Sequence, residues 1–266
     1  MQRIVNGMII AAMAVFLSGC AYLNLKTPQI QSVRPRITGI DLQGVSLAFD
    51  VGVDNLYPIP LRTPNFRYGM DIQGREFFKS GVTANIDLPA KSIGTVTLPV
   101  RVTYLSLWKT YQALSEAAEI QYTLRGALVL SAYNQSYELP LSHTGTFPVL
   151  RLPSFSDISV RVADASLTKA KIVIEATIKN PNCFGIDVRN LGYAFKLGDV
   201  ELAGLAATTQ GKLEAGGQGR LALAGEVSAL SALPKLLLSG SPRAGEARIA
   251  PTGAIQTPYG AVKLPR

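Results

Sequence analysis

Hydrophobic and polar positions alternate most regularly in residues 45–53 and 170–178. Successive side chains of a β-strand point to opposite faces, so this period of two predicts strands with one buried and one solvated face. Strands of this kind are typical of antiparallel sheets. The apolar positions are Val45, Leu47, Phe49, Val51 and Val53 in the first segment and Ala170, Ile172, Ile174, Ala176 and Ile178 in the second.

These two segments are 125 positions apart, and the same displacement aligns further parts of the chain. Asn55 falls on Asn180, Leu61 falls on Ile186, and another alternating segment follows in each copy. A third strand is predicted over residues 95–100 in the first copy and 220–224 in the second. The chain is therefore predicted to contain two copies of one β-rich module.

Each copy also has one helical pattern and a set of closing strands. Apolar residues recur on one helix face at Leu107, Tyr111, Leu114 and Ala118. The second copy has a shorter pattern over 229–239, with Pro234 near its middle limiting the helix. Short strands separated by turn signals are typical of sandwiches. We therefore predict a mostly β fold of two tandem antiparallel β-sandwiches, immunoglobulin- or fibronectin-like, each with one short α-helix. The closing strands are predicted near 125–132, 136–141, 247–250 and 260–264.

The first twenty residues, MQRIVNGMIIAAMAVFLSGC, have the order of an export signal. Arg3 precedes the apolar run 8–17, which is too short to span a membrane. Residues 17–20, Leu-Ser-Gly-Cys, resemble the lipobox of bacterial lipoproteins. The resemblance implies cleavage before Cys20 and lipidation of that residue, and Ala21 in place of Asp favours the outer membrane, facing the periplasm. An ordinary signal peptide with a chance cysteine is the alternative.

The patterns divide the chain into four parts. Residues 1–20 are the predicted signal peptide, 21–36 a linker, 37–150 the first module and 151–266 the second. The linker lacks a strong periodicity, so organised structure is expected to begin near Ile37.

Both modules interrupt their central strand at the same position. The second has Asn180-Pro181-Asn182, and the first has Asn55 followed by prolines at 58 and 60. Proline cannot donate to a strand ladder, and asparagine can bond to nearby backbone or adopt a positive φ. Because the break recurs with different polar groups, we interpret it as a structural device and not as a binding site.

An alternating strand that ends in Asn-Pro-Asn, a second such strand, and Leu88-Pro89-Ala90 before a third resemble the type 2 late embryogenesis abundant (LEA) proteins. The unit of that family is the water stress and hypersensitive response (WHy) domain. The first copy departs from the pattern at Asn55-Leu56, and the second at Leu213-Glu214-Ala215. The resemblance implies a folded sandwich, an association with desiccation and water stress, and no established catalysis.

No residue pattern in the sequence carries catalytic, cofactor or metal chemistry. His143 is the only histidine and has no Gly-x-Ser-x-Gly motif beside it, and the glycines of 216–219 read as a turn. With Cys20 lipidated, Cys183 has no disulfide partner and is expected to be a buried structural thiol. Trp108 and Tyr111 are interpreted as packing residues. We therefore predict no enzyme activity and no cofactor.

Charge and composition narrow the expected partners. The formal net charge is +8, and loss of the leader, which holds Arg3 and no acid, would leave +7. No run of five basic residues occurs, so a nucleic-acid partner is not predicted. The membrane, through Cys20, is the predicted partner, with lipids or envelope proteins as candidates. The leading hypothesis is a non-enzymatic protective or binding role in water stress; the alternatives are a lipid or apolar-ligand carrier and an envelope scaffold.

Overall fold

The computed structural model of the chain describes residues 28–82, 86–132, 135–188, 191–197, 200–207, 211–228 and 247–264. These residues form mostly antiparallel strands arranged as two modules, as predicted. The predicted leader with Cys20 and the predicted helix over 229–239 lie outside the described residues.

The first module consists of a three-stranded sheet packed against a five-stranded sheet. One sheet has the order β1-β2-β6, and the other has the order β4-β3-β7-β8 with β5 paired to β3. Its strands are β1 (Gln29–Asp41), β2 (Gly44–Asn55), β3 (Leu61–Ile72), β4 (Arg75–Val82), β5 (Ile86–Leu88), β6 (Ser92–Thr103), β7 (Glu119–Ala132) and β8 (Gln135–Pro148).

The second module has the corresponding strands in shorter pieces, grouped into a six-stranded and a four-stranded sheet. Its sheets have the orders β16-β12-β13-β15-β10-β9 and β14-β11-β17-β18. Its strands are β9 (Ser154–Ala165), β10 (Lys169–Lys179), β11 (Ile186–Asp187), β12 (Gly192–Leu197), β13 (Val200–Ala207), β14 (Lys212–Leu213), β15 (Gln218–Ser228), β16 (Ala247–Thr252), β17 (Ala254–Thr257) and β18 (Gly260–Lys263).

Strand pairing in the two modules follows the same register. Phe49 pairs with Leu98 in the first module, and Ile174 pairs with Leu223 at the positions 125 further along. The pair Arg62–Ser131 likewise corresponds to Asp187–Gln256. A shift by one residue would turn the buried side chains of a strand to the surface. The matching registers therefore place corresponding residues in corresponding environments.

Each module has its own hydrophobic core between its sheets. In the first, the alternating apolar residues of β2 are at most 3% exposed, and they pack with aromatic residues of the facing sheet. Phe49 meets Tyr122 edge to face with a ring separation of 5.5 Å. In the second, Ile172 and Ile174 are fully buried, whereas Lys169 and Glu175 on the same strand are exposed. The predicted division into a buried and a solvated face is confirmed.

The start of the first module differs from the sequence expectation. β1 begins at Gln29, within the segment expected to be a linker, and not near Ile37. Pro35 and two flanking arginines obscure the alternation there. β1 lies at the edge of its sheet and pairs only with β2 among the described strands, and an edge strand tolerates a residue that cannot donate to the ladder.

The first helix is also shorter than its pattern indicated. α1 (Tyr104–Thr110) ends before a separate 3₁₀ turn over Gln112–Leu114, so the stripe that reached Ala118 is not one helix. Tyr104 and Leu107 are nevertheless buried, and Trp108 and Leu114 pack partly against the core. The closing strands occur where they were predicted but are longer in the first module, where β7 and β8 each span 14 residues.

Candidate functional site

The break after strand β2 is organised by the buried side chain of Asn55. Its amide nitrogen donates to the carbonyl oxygens of Ile59 at 2.9 Å, Leu88 at 3.1 Å and Pro89 at 2.8 Å. Its amide oxygen accepts from the backbone N–H of Tyr57 at 3.0 Å. Asn55 has no exposed surface, so these bonds satisfy a polar group that would be costly to bury alone.

Asn180 makes the corresponding contacts after strand β10. Its amide nitrogen donates to the carbonyls of Phe184 at 2.8 Å, Leu213 at 3.4 Å and Glu214 at 2.9 Å. Its amide oxygen accepts from the N–H of Asn182 at 3.1 Å. Every partner lies 125 positions after its counterpart in the first module. We call these two arrangements the asparagine clamps.

The segment opposite each clamp has a matching backbone conformation. Lys91 has a φ of 49° and Gly216, its counterpart, a φ of 64°. The N–H of Lys91 donates to the carbonyl of Tyr57, and that of Gly216 donates to the carbonyl of Asn182, both at 3.0 Å. The clamps join the end of the central strand to the turn before the next sheet strand. Their contacts are internal to the fold, in agreement with the structural interpretation of the break.

Asn182 adds a contact to the segment that connects the modules, and its counterpart, Tyr57, has no equivalent contact among those described. Its amide oxygen accepts from the N–H of Arg151 at 2.7 Å, and its amide nitrogen donates to the carbonyl of Arg151 at 3.0 Å. Tyr57 instead lies 5.8 Å from the ring of Tyr137. The second asparagine of Asn-Pro-Asn thus holds the chain segment that connects the modules.

Arg151 extends this junction into the first module. Its guanidinium donates to the carbonyls of Ser115, Glu116 and Ala117, which follow the 3₁₀ turn. Beside it, the N–H of Leu150 donates to the hydroxyl of Tyr104 at 3.0 Å. A guanidinium offers several donors in a rigid fork, which suits a set of adjacent carbonyls. The sequence analysis did not identify Arg151. The recurrence of Leu-basic-x-Pro at 25–28 and 150–153 is the signal that marks it.

Cys183 lies at the same junction, half-buried, and is a free thiol within the part of the chain that the structure describes. Its thiol donates to the carbonyl of Ala118 at 3.6 Å. Burial, and then the neighbouring Glu119, raise its pKa to about 11. The thiolate is the reactive form of cysteine, so this thiol is inert near neutral pH. It is less buried than expected, because it lies between modules and not inside one.

The remaining candidate residues belong to the packing of the first module. His143 lies in β8, paired with Leu124, with its ring 6.3 Å from those of Phe49 and Tyr122. Trp108 stacks on Tyr104 at 5.5 Å. No grouping of three metal-ligating side chains occurs among the described residues. The predicted glycine turn is confirmed, since Gly216 and Gly217 separate β14 from β15.

Two surface grooves have charged linings. One, of about 780 Å³, lies on the outer face of β3, β4 and β7, where Arg125–Asp71 and Lys79–Glu76 form ion pairs of 2.9 and 2.7 Å. The other, of about 470 Å³, lies in the second module and includes Asp187, Lys212 and Glu214.

Within the described ranges, no helix has the length and apolar character needed to cross a membrane.

The repeated sandwiches and clamps define a protein built from two copies of a β-sandwich module. The sequence profile described as "Late embryogenesis abundant protein" matches residues 50–145 and 175–263. The two matches begin 125 positions apart and together cover more than half of the chain. The chain belongs to the type 2 late embryogenesis abundant family, with two tandem domains.

Comparison with solved structures gives three examples of similar chains. A crystal structure of an Archaeoglobus fulgidus protein aligns at 13% identity and a TM-score of 0.38, covering 47% of this chain and 100% of that one. A solution structure from Arabidopsis thaliana aligns at 21% identity and 0.38, covering 53% and 93%. Red sea bream transglutaminase aligns at 12% identity and 0.28, covering 89% and 32%. Comparison with curated proteins gave no match.

Proposed function

We propose that this protein is a non-enzymatic, lipid-anchored lipoprotein of the bacterial outer membrane that faces the periplasm and protects envelope components during water stress. The observation that carries the proposal is the family match over both modules. Proteins of this family are generally non-enzymatic. The polar groups singled out by the sequence serve the fold and the junction between modules.

Support for the anchor comes from the sequence alone. The apolar run 8–17 followed by Leu-Ser-Gly-Cys20 has the order of a lipoprotein signal. One acyl chain binds a membrane only marginally, whereas two or more give stable anchoring. Full-length protein should therefore fractionate with membranes, and Cys20→Ala should remove the acyl-modified N-terminal peptide from the mass spectrum. An unmodified Cys20 in the membrane-bound protein would contradict the anchor.

The protective role is tested by survival. We expect a clean deletion strain to lose viability after drying and after osmotic shock, and a chromosomal copy of the wild-type sequence to restore it. A Cys20→Ala copy separates location from fold, since it leaves both modules unchanged. Equal survival of the deletion and parent strains would remove the stress role while leaving the family assignment intact.

The lipid-carrier alternative has a direct test. Large side chains of both sheets, including Phe49, Tyr122 and Phe147, occupy the interior of the first module and are at most 1% exposed. Native mass spectrometry of residues 21–266 should therefore give the mass of the bare chain. A reproducible lipid adduct would favour the carrier function over the protective one.

A further inference from the structure

The hairpin between β1 and β2 connects the first module to the second. Ile40 and Leu42, at its tip, pack with the hydrophobic core of the second module, and β1 contacts β18. Ile40 is only 8% exposed. The tip is shaped by Asp41, whose carboxylate accepts from the N–H groups of Gln43 and Gly44. We call this hairpin, which packs onto the next module, the donor half of the junction, and the surface that receives it the acceptor half.

The second module carries the same hairpin with no module beyond it in the described chain. Leu167, between β9 and β10, is the counterpart of Leu42 and is 92% exposed. Ala165, the counterpart of Ile40, is also exposed. The tip is nevertheless ordered: the N–H of Ser166 donates to the carbonyl of Lys169 at 2.8 Å, and the Ser166 hydroxyl bonds to the same residue. The second module therefore has a folded donor hairpin whose tip is exposed.

The acceptor half shows the complementary difference. Val262 and Leu264, at the end of the second module that meets the first hairpin, are 3% and 8% exposed. Their counterparts in the first module are Tyr137 and Leu139 on β8, and both are only half-buried. β8 lies at the edge of its sheet. Tyr137 and Leu139 on the first module therefore form an acceptor surface that is more exposed than the corresponding surface of the second module.

We propose that the Leu167 hairpin of one molecule docks against Tyr137 and Leu139 on the first module of a second copy of this chain. The contact repeats between chains the junction that already exists within one chain. It is head-to-tail, so it extends to rings or open rows and does not close as a symmetric pair. One hairpin buries little area, which places the contact among weak, transient interfaces.

The strength of the contact can be measured by sedimentation of residues 21–266 over a range of concentrations. We expect association that Leu167→Asp weakens at least about tenfold, the loss expected for one leucine side chain. Leu105→Asp is the matched control, because Leu105 is also an exposed leucine, at 64%, but lies on α1. A chain that stays monomeric up to millimolar concentration would overturn the proposal, as would equal loss in both variants.

The direction of the contact is tested in the full-length protein with a photocrosslinking residue at position 167. Mixing isotope-labelled and unlabelled chains identifies crosslinks between molecules. Crosslinks to β8 of another copy support the proposal. Crosslinks between two 167 positions would show a symmetric contact, crosslinks within one chain would show that the chain covers its own hairpin, and crosslinks to lipid alone would show a membrane contact. Each of these three results would overturn it.

Discussion

Asn55 and Asn180 each bring one buried amide group to several backbone carbonyls near the end of a strand. We expect Asn55→Ala and Asn180→Ala each to lower the free energy of unfolding by about 2 to 4 kcal/mol, because buried carbonyls lose their donor. Trp108, the single tryptophan, reports on the first module by fluorescence. Because Arg151 joins the two modules, both variants should shift the Trp108 fluorescence transition to a lower urea concentration.

The control for this pair is Gln112→Ala, at an exposed position, which should change stability by less than about 0.5 kcal/mol. If neither Asn55→Ala nor Asn180→Ala lowered the free energy of unfolding, the structural role of the asparagine clamps would be contradicted.

Tyr68 and Tyr193 are counterparts with different partners. The hydroxyl of Tyr68 donates to the carbonyl of Pro99 at 2.6 Å. The hydroxyl of Tyr193 is buried without a partner among the described residues, and Ala224, the counterpart of Pro99, pairs instead with Ala206 on β13. Burial raises the pKa of Tyr193 to about 12. The added pairing of β13 with β15 thus coincides with the loss of one side-chain bond.

The two tyrosines therefore respond differently to removal of the hydroxyl. We expect Tyr68→Phe to lower the free energy of unfolding by about 1 kcal/mol, since the bond to Pro99 is lost. Tyr193→Phe should leave it unchanged or raise it, because an unsatisfied buried hydroxyl is removed. Urea titration of the two variants measures the difference, and equal destabilisation by both would contradict this assignment.

Cys183 gives a prediction about pH. Burial raises its pKa from 9.0 to about 11, so the folded protein binds this proton more tightly than the unfolded chain does. The stability that it contributes is complete below pH 9 and is lost as the pH rises towards 11. Alkylation of the folded protein at pH 8 should be about a hundredfold slower than in urea, following the thiolate fraction. If the folded protein and the protein in urea were alkylated at equal rates, folding would not raise the pKa of the Cys183 thiol.

At the scale of elements, the connection between the modules is a folded structure and not a loose linker. Arg151 donates to three consecutive carbonyls of the first module, and Asn182 of the second module holds the backbone of the same residue. We expect Arg151→Ala to separate the thermal unfolding of the two modules in calorimetry, and Arg151→Lys not to restore coupling, because a single ammonium cannot reproduce the fork.

The matched control for the junction is Arg161→Ala. Arg161 is an exposed arginine whose ion pair with Glu175 spans 3.7 Å, and such pairs contribute little to stability. If Arg151→Ala left the calorimetric profile unchanged, Arg151 would not be what couples the modules. Either another contact would couple them, or they would already unfold separately in the wild-type protein.

The central strands and their repeat could be predicted from the sequence because alternation of Val, Ile, Leu and Phe directly reflects burial on one face. The first strand was missed, since Pro35 and its neighbouring arginines conceal the period on an edge strand. The short length of α1 was also missed, because Tyr111 and Leu114 keep the helical spacing while packing from a separate turn. The donor role of Asn55 depends on carbonyls 33 residues away in sequence, which no local pattern shows.

At the scale of the whole molecule, duplication explains both the fold and its differences. The two modules share registers and clamps, and they diverge in the grouping of strands into sheets and where they meet each other. Tyr57 in the first module corresponds to Asn182 in the second, which holds the connecting segment.

A crystal structure of residues 21–266 tests the duplication most directly, through the pairing of the central strands. We predict that Phe49 faces Leu98 and that Ile174 faces Leu223, with the amide of Asn55 and that of Asn180 each bonded to the carbonyls 33 and 34 residues further on. A register that differs by one residue between the modules, or an asparagine that points to solvent in either of them, would contradict the account.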